Sequence, residues 1–214
     1  MRRKKPDLAQ ATRAYFDFLA RTLPELRHLE PRRILVVAGE ARRASYATVT
    51  PLAFGGAKRR EGQREKPLVK VNGRRMLYCI TLRPLFFRAS TPRERVGTLL
   101  HELLHIAQPF DGTLAPERRH GHPESGFEAM FRPLEKRSWN ALPPHLARPF
   151  AHDGEVRVPQ WLERPSAWLP VGVGSQRDRY TEEHLFVGVV RMRTRLVPKK
   201  LRRPKAAGTA APAP

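Results

Sequence analysis

The chain has 214 residues, enough for one domain with a proper core or one domain plus an accessory piece, and its 40% hydrophobic and 29% charged residues match a water-soluble globular protein. A formal net charge of +21 points to a polyanionic partner, nucleic acid first, although arginine on solvated faces accounts for part of such an excess. No run of about 20 apolar residues is present to span a bilayer, no apolar core follows the basic start "MRRKK" as a secretory signal requires, and the single cysteine, Cys79, excludes a disulfide framework and a four-cysteine zinc ribbon; the expectation is a cytoplasmic protein without a membrane segment.

Residues 1–6 read as a basic tail. From Asp7 to about Leu29, Leu8, Ala11, Tyr15, Phe18, Leu19 and Leu23 recur at helical spacing, with Pro24 kinking or ending the helix. "RILVVAG" (Arg33–Gly39) is a short apolar run before a glycine and reads as a buried strand. "SYATVTPLAF" reads as a second strand, and the charged stretch Gly55–Lys66 as a loop. In Pro67–Leu82, Asn72-Gly73 separates two β-rich runs, a strong hairpin signal.

The next segment, "TPRERVGTLLHELLHIAQ", opens with Thr91, Pro92 and Glu94, a capping box with proline at the first helical position, and should close near Gln108 before Pro109. Ser125 and Glu128 offer a second capping box before a helix with Phe127, Met130 and Phe131. Pro133 should break that helix and leave "LEKRSWNAL" as a separate short one. From about Arg148 the composition turns to proline, arginine and tryptophan, with "HLFVGVVRMRTRLV" (His184–Val197) as a strand. The resulting division is a basic tail over 1–6, a main domain over 7–147, a proline- and arginine-rich β extension over 148–197, and a basic, then Ala/Pro-rich disordered tail over 198–214.

Chemistry concentrates in H-E-x-x-H at His101, Glu102 and His105. At about 100° per residue, His105 lies about 40° from His101 and one turn on, so the two imidazoles can converge on one metal ion. Glu102 lies about 100° round, poorly placed as a ligand but able to reach a water on that metal. Val96, Leu99, Leu100, Leu103, Ile106 and Ala107 fall opposite, between about 140° and 260°. A helix with leucines behind and His-Glu-His in front is unlike a core helix with one incidental histidine. Zinc held by three protein ligands keeps a fourth position for water and lowers its pKa to about 7. Glu102 would then be the base that activates this water for attack on a peptide carbonyl and hands the proton to the leaving amine.

The segments "HELLH" and "HGHPESGFEAMF", with "LYCITLRPLFF" before them, resemble the SprT-like zinc metalloproteases and related phage-type metallopeptidases over roughly Leu68–Leu134. The resemblance implies a zincin-like α+β fold: a small mixed sheet packed on the HExxH helix, with an edge strand able to pair with a substrate backbone, here followed by the short β-rich C-terminal extension. By position it implies His101 and His105 as paired zinc ligands and Glu102 as the base.

For the third ligand, His122 lies just before the helix that Phe127 anchors, and Pro123 stiffens the approach. His120, beside the Gly121 that the SprT-like pattern contains, and Asp111 are the alternatives. Gln108 stands where glycine would let the chain turn back to Asp111, and Glu128 belongs to the second capping box.

The expected activity is a zinc-dependent endopeptidase with a protein or peptide substrate, acting on nucleic-acid-associated proteins. The alternative is a nucleic-acid-binding protein on a zincin-like scaffold without protease activity. DNA or RNA would be held by Arg191, Arg193 and Arg195, which alternate with Met192 and Thr194 and so share one strand face, and by Lys199, Lys200, Arg202 and Arg203 of the tail. His28, His145, His152 and His184 have no partner at ligand spacing, and Trp161 and Trp168 read as core staples rather than base-stacking platforms.

Overall fold

The computed structural model describes residues 5–39, 45–53, 66–115, 126–165 and 179–194. It is an α+β structure with two mixed sheets. Helix α1 (Leu8–Thr22) begins where the Asp7 side chain accepts the Gln10 N–H. It ends at Leu23, because Pro24 cannot continue it and opens a 3-10 turn instead. Strands β1 (Ile34–Ala38), β2 (Ala47–Pro51) and β5 (Tyr78–Leu82) form one side of a five-stranded sheet. β6 (Gly154–Trp161) and β8 (Leu185–Met192) complete it in the order β2-β5-β1-β6-β8. β1 is parallel to both β5 and β6, whereas the outer strands β2 and β8 run antiparallel to their neighbours. The second sheet, β4-β3-β7, joins β3 (Leu68–Val71), β4 (Arg74–Arg75) and β7 (Arg179–Tyr180).

The unbroken apolar run of β1 follows from burial on both faces. Ile34, Val36 and Ala38 belong to the main core, while Leu35 and Val37 belong to a second cluster behind the sheet. β5 divides likewise. Tyr78, Ile80 and Leu82 face the main core, and Cys79 faces the second cluster, where burial pushes its thiol pKa up to about 11. Helix α1 packs on the main face with α3 (Pro92–Leu104). Phe150, Val156, Val158 and Met192 lie in the same core, so the stretch read as an extension contributes two strands of the main sheet.

The Asn72-Gly73 turn forms with φ of 49° and 72°, but the hairpin it closes has only the two-residue β4 as its second arm. The chain then crosses to the other sheet as β5. α2 (Pro84–Arg88) follows, a short helix that opens on Pro84. The larger departure from expectation is α4 (Phe127–Ala141), which passes through Pro133 without a break. Proline removes the hydrogen bond to the carbonyl four residues back, here that of Ala129. Both residues are exposed, so water can serve that carbonyl. Gly126, in the left-handed region at φ 58°, precedes α4 without a side-chain cap, and Glu128 pairs with Arg132 instead of capping. After α4 comes the one-turn α5 (Pro144–Ala147).

One polar side chain ties α3 to three other elements. Arg95 is fully buried. Its guanidinium donates to the carbonyls of Phe86 (3.1 Å) and Phe87 (3.4 Å) in α2, Phe150 (2.6 Å) after α5, and Arg193 (2.7 Å) after β8, and to Thr194 Oγ1 at 3.3 Å. Burial lowers its pKa to about 10, which Asp153 and Glu94 counteract, so it stays charged at neutral pH.

Candidate active site on helix α3

The expected capping box starts α3: Thr91 Oγ1 accepts the Glu94 N–H at 3.2 Å, and the Glu94 carboxylate accepts the Thr91 N–H at 2.8 Å. The helix ends at Leu104 with His105 as its cap, four residues short of Gln108. Ile106 instead forms a bridge with Leu114, the Ala107 N–H reaches Thr113 O at 3.2 Å, and the Ala115 N–H reaches His105 O at 2.9 Å. The Tyr78 hydroxyl clasps this turn, accepting from Gly112 N–H and donating to Thr113 O, each at 2.9 Å. Gly112 is required there: its φ is 98°, and a Cβ would meet Ala53 O at 2.5 Å.

The leucine face of α3 is buried as the helical wheel predicts, with Val96, Leu99, Leu100 and Leu103 at 1% exposure or less. On the front, the rings of His101 and His105 are 5.0 Å apart. Phe127, from the start of α4, packs on both: 4.7 Å from His101 edge-on, and stacked on His105 at 5.1 Å. Phe131, stacked beside Phe127, meets the His101 ring edge-on at 5.4 Å. Aromatic packing of this kind narrows the rotamers open to the two imidazoles.

Glu102 is not on an open flank. Strand β2 lies over it and leaves it 7% exposed. The even-numbered residues of β2 bond to β5, as the Arg83 N–H to Tyr46 O and Leu52 N–H to Leu77 O bonds show, so the odd-numbered backbone groups turn outward. One of them, the Val49 N–H, donates to Glu102 Oε2 at 2.7 Å. Burial raises the Glu102 pKa to about 7, against the Val49 hydrogen bond and the charge of Arg83, which pull it down. Arg83 itself is braced on Thr48 Oγ1 at 3.2 Å. Neither Val49 nor Arg83 is legible as a site residue from sequence, since a backbone N–H carries no side-chain signal and Arg83 is one arginine among many. His101, Glu102 and His105 open onto a cleft of about 860 Å³ between the β2 edge, α3 and α4.

No family model, curated protein or solved structure matches this chain. The site therefore stands on its own geometry. An ion bound by two imidazole nitrogens at about 2.0–2.1 Å with tetrahedral angles places the ring centres roughly 5 Å apart, and the observed separation fits. Among the described residues, no group of three or more His, Cys, Asp and Glu side chains could hold a metal ion. Asp111 accepts from the N–H (3.0 Å) and hydroxyl (2.7 Å) of Thr113 and is not grouped with the histidines. His120 and His122 lie outside the described residues. The described chain stops at Ala115, bonded to His105, and resumes at Gly126, one residue before the phenylalanine stacked on His105.

Arg191 and Arg193 are exposed and alternate with buried Met192 and half-buried Thr194, so they share a face; Arg195, Lys199, Lys200, Arg202 and Arg203 lie outside the described residues. Trp161 packs edge-on to Tyr180 at 6.4 Å in the second cluster, as a core staple, while Trp168 is outside the described residues. The His184 ring accepts the Thr181 N–H at 3.2 Å. No described helix is long and apolar enough to cross a membrane.

Proposed function

We propose that the protein is a zinc-dependent endopeptidase of the SprT-like type, with a zincin-like arrangement of the HExxH helix under an edge strand. The observation that carries this reading is the Glu102 carboxylate, buried between a histidine pair and the outward backbone of β2. His101 and His105 would hold the zinc with His122 as third ligand, the anchoring of Ala115 and Phe127 beside His105 being what favours a ligand from the chain between them. Bound zinc supplies Lewis-acid polarisation of a carbonyl and acidifies water.

The chain's own residues do the rest. The outward backbone groups of Ala47 and the carbonyl of Val49 offer an extended peptide a strand to pair with, across the cleft from α3. Glu102, with Oε2 fixed by Val49, has Oε1 available to take a proton from water and return it to the leaving amine. Cover by β2 keeps this carboxylate out of bulk water, and a pKa about 7 suits a group that must accept and release a proton near neutrality. Zinc-loaded protein should cut a loosely folded protein substrate, lose activity to a chelator and regain it with zinc. An inert zinc-loaded protein would reject the reading.

The third ligand has its own expected outcome. His122→Ala is expected to lose zinc, while Asp111→Ala keeps it; metal content of these variants and of His120→Ala, measured in parallel, decides. Loss in the His120 variant with His122→Ala fully loaded would reverse the assignment.

A second reading, nucleic-acid binding alongside proteolysis, is favoured by the exposed Arg191 and Arg193 and the net charge of +21. Affinity should fall steeply with salt, with a log–log slope of roughly −0.9 per phosphate contact on duplex. Truncation after Val197 should lower both affinity and slope, read by fluorescence anisotropy across a salt series.

A further inference from the structure

A second cavity, of about 320 Å³, lies on the rear face of the main sheet, the face turned away from α3. Thr50 of β2 and Cys79 of β5 are cross-strand partners and share this face with Thr81. The walls come from chain beyond those strands: Lys66 just before β3, and Arg164 just after β6. No residue lining it also lines the histidine cleft.

The lining is chemically one-sided. Lys66 and Arg164 bring two positive charges, Thr50 and Thr81 bring two hydroxyls, and among the described lining residues there is no Asp or Glu. Lys66 is only 8% exposed, and its desolvation lowers the pKa of the ammonium. Arg164 is exposed as a residue, yet its charge acts on the Cys79 thiol, to which the Trp161 indole also hydrogen-bonds. The guanidinium and the indole are thus both directed at the floor. Two like charges beside one small space repel, and more strongly where apolar walls keep the dielectric low than in open water.

We propose that this cavity binds a small organic oxyanion, a carboxylate or phosphate carried on a flat apolar body. An anion between Lys66 and Arg164 turns their repulsion into two attractions. The guanidinium fork suits a two-oxygen face and the ammonium supplies a point charge, while the threonine hydroxyls can donate to the remaining lone pairs. The body follows from the rest of the lining: Trp161, Leu52, Pro51 and Pro165 offer apolar surface and a ring face. A bare ion would leave those walls wet. The volume sits near the lower end of the range of ligand pockets, about 300–1,000 Å³, which suits a single ring with one charged group.

The test is a titration of the full chain followed by two-dimensional ¹⁵N–¹H NMR at constant ionic strength. The probes are benzoate, phenyl phosphate, inorganic phosphate and benzylamine. Benzoate or phenyl phosphate should shift the Thr50, Cys79 and Thr81 amides saturably, and the tighter of the two tells carboxylate from phosphate. Inorganic phosphate should bind there at least ten-fold more weakly, and benzylamine should leave those amides unmoved. Lys66→Met and Arg164→Met should each weaken the aromatic anion at least ten-fold, whereas Arg191→Met, which removes the same charge from β8, should not. If Lys66→Met fails to fold, the exposed Arg164 decides alone. The proposal is overturned if neither aromatic anion shifts these amides saturably, if benzylamine shifts them equally, or if inorganic phosphate binds as tightly. Undiminished binding by Arg164→Met, or an equal loss in Arg191→Met, overturns it as well.

Discussion

Glu102→Gln is expected to abolish hydrolysis while leaving zinc bound and making the metal-free protein more stable. Loss of a general base costs typically 10²–10⁴-fold in rate. The amide keeps an acceptor oxygen for the Val49 N–H, so the position of β2 over the helix survives. Stability changes because burial disfavours the ionised carboxylate. Its pKa is raised from 4.5 to about 7, so the folded state binds a proton that the unfolded chain has released. The metal-free protein therefore loses stability as pH rises from about 4.5 to about 7 and regains none above it. At about 1.4 kcal/mol per pKa unit, the penalty above pH 7 is of order 3 kcal/mol. Urea midpoints of the two metal-free proteins should coincide near pH 4 and separate above pH 7, with the glutamine variant higher. Equal midpoints at all pH values, or near-full activity, would remove Glu102 from the role assigned to it.

Arg95→Met should be the most destabilising change in the protein outside its apolar core. It strips the guanidinium from four main-chain carbonyls in α2, after α5 and after β8, of which Phe87 O keeps the Arg193 N–H. Each orphaned buried acceptor costs about 1–3 kcal/mol, partly offset by release of a buried guanidinium from its desolvation penalty. A net loss of roughly 3–5 kcal/mol follows from the carbonyls left without a donor. Arg95→Lys should rescue little, since three donors on a single nitrogen cannot reproduce the guanidinium fork. The urea midpoint measures both. Because the same residue sets where α3 sits against the end of β8, zinc affinity should fall in parallel.

The elements whose evidence is local were legible in the sequence. The α3 start was written in Thr91, Pro92 and Glu94, the turn in Asn72-Gly73, and the buried strand in the run before Gly39. The histidine pair and the leucine face opposite it followed from helical geometry alone. What escaped was set by distant parts of the chain. α4 runs through Pro133 because the carbonyl it orphans faces water, a matter of burial that no local pattern encodes. α3 stops at Leu104 because Tyr78 and Ala53, from much earlier strands and loops of the chain, shape the turn after it. The burial of Glu102 was invisible for the same reason. Periodicity places it on a polar flank, and only the pairing of β2 with β5 brings the Val49 N–H over it. Arg95 reads in sequence as one of 41 basic residues, yet no other described charged side chain is as deeply buried.

The lone thiol of Cys79 sits mid-strand in β5, between β2 and β1, 4% exposed and with its pKa pushed up to about 11. A thiol-reactive reagent needs both access and thiolate, and the folded sheet denies it both. Labelling should therefore wait for the second cluster to come away from that face of β5, which makes the rate of modification a clock for opening of the sheet's rear face. The chain thus carries a native reporter for pulse-labelling, needing no engineered residue, and it lies on the strand that carries the edge strand β2 above Glu102. Zinc should slow that clock if it locks the α3 helix under β2, and should leave it unchanged if metal and sheet are uncoupled.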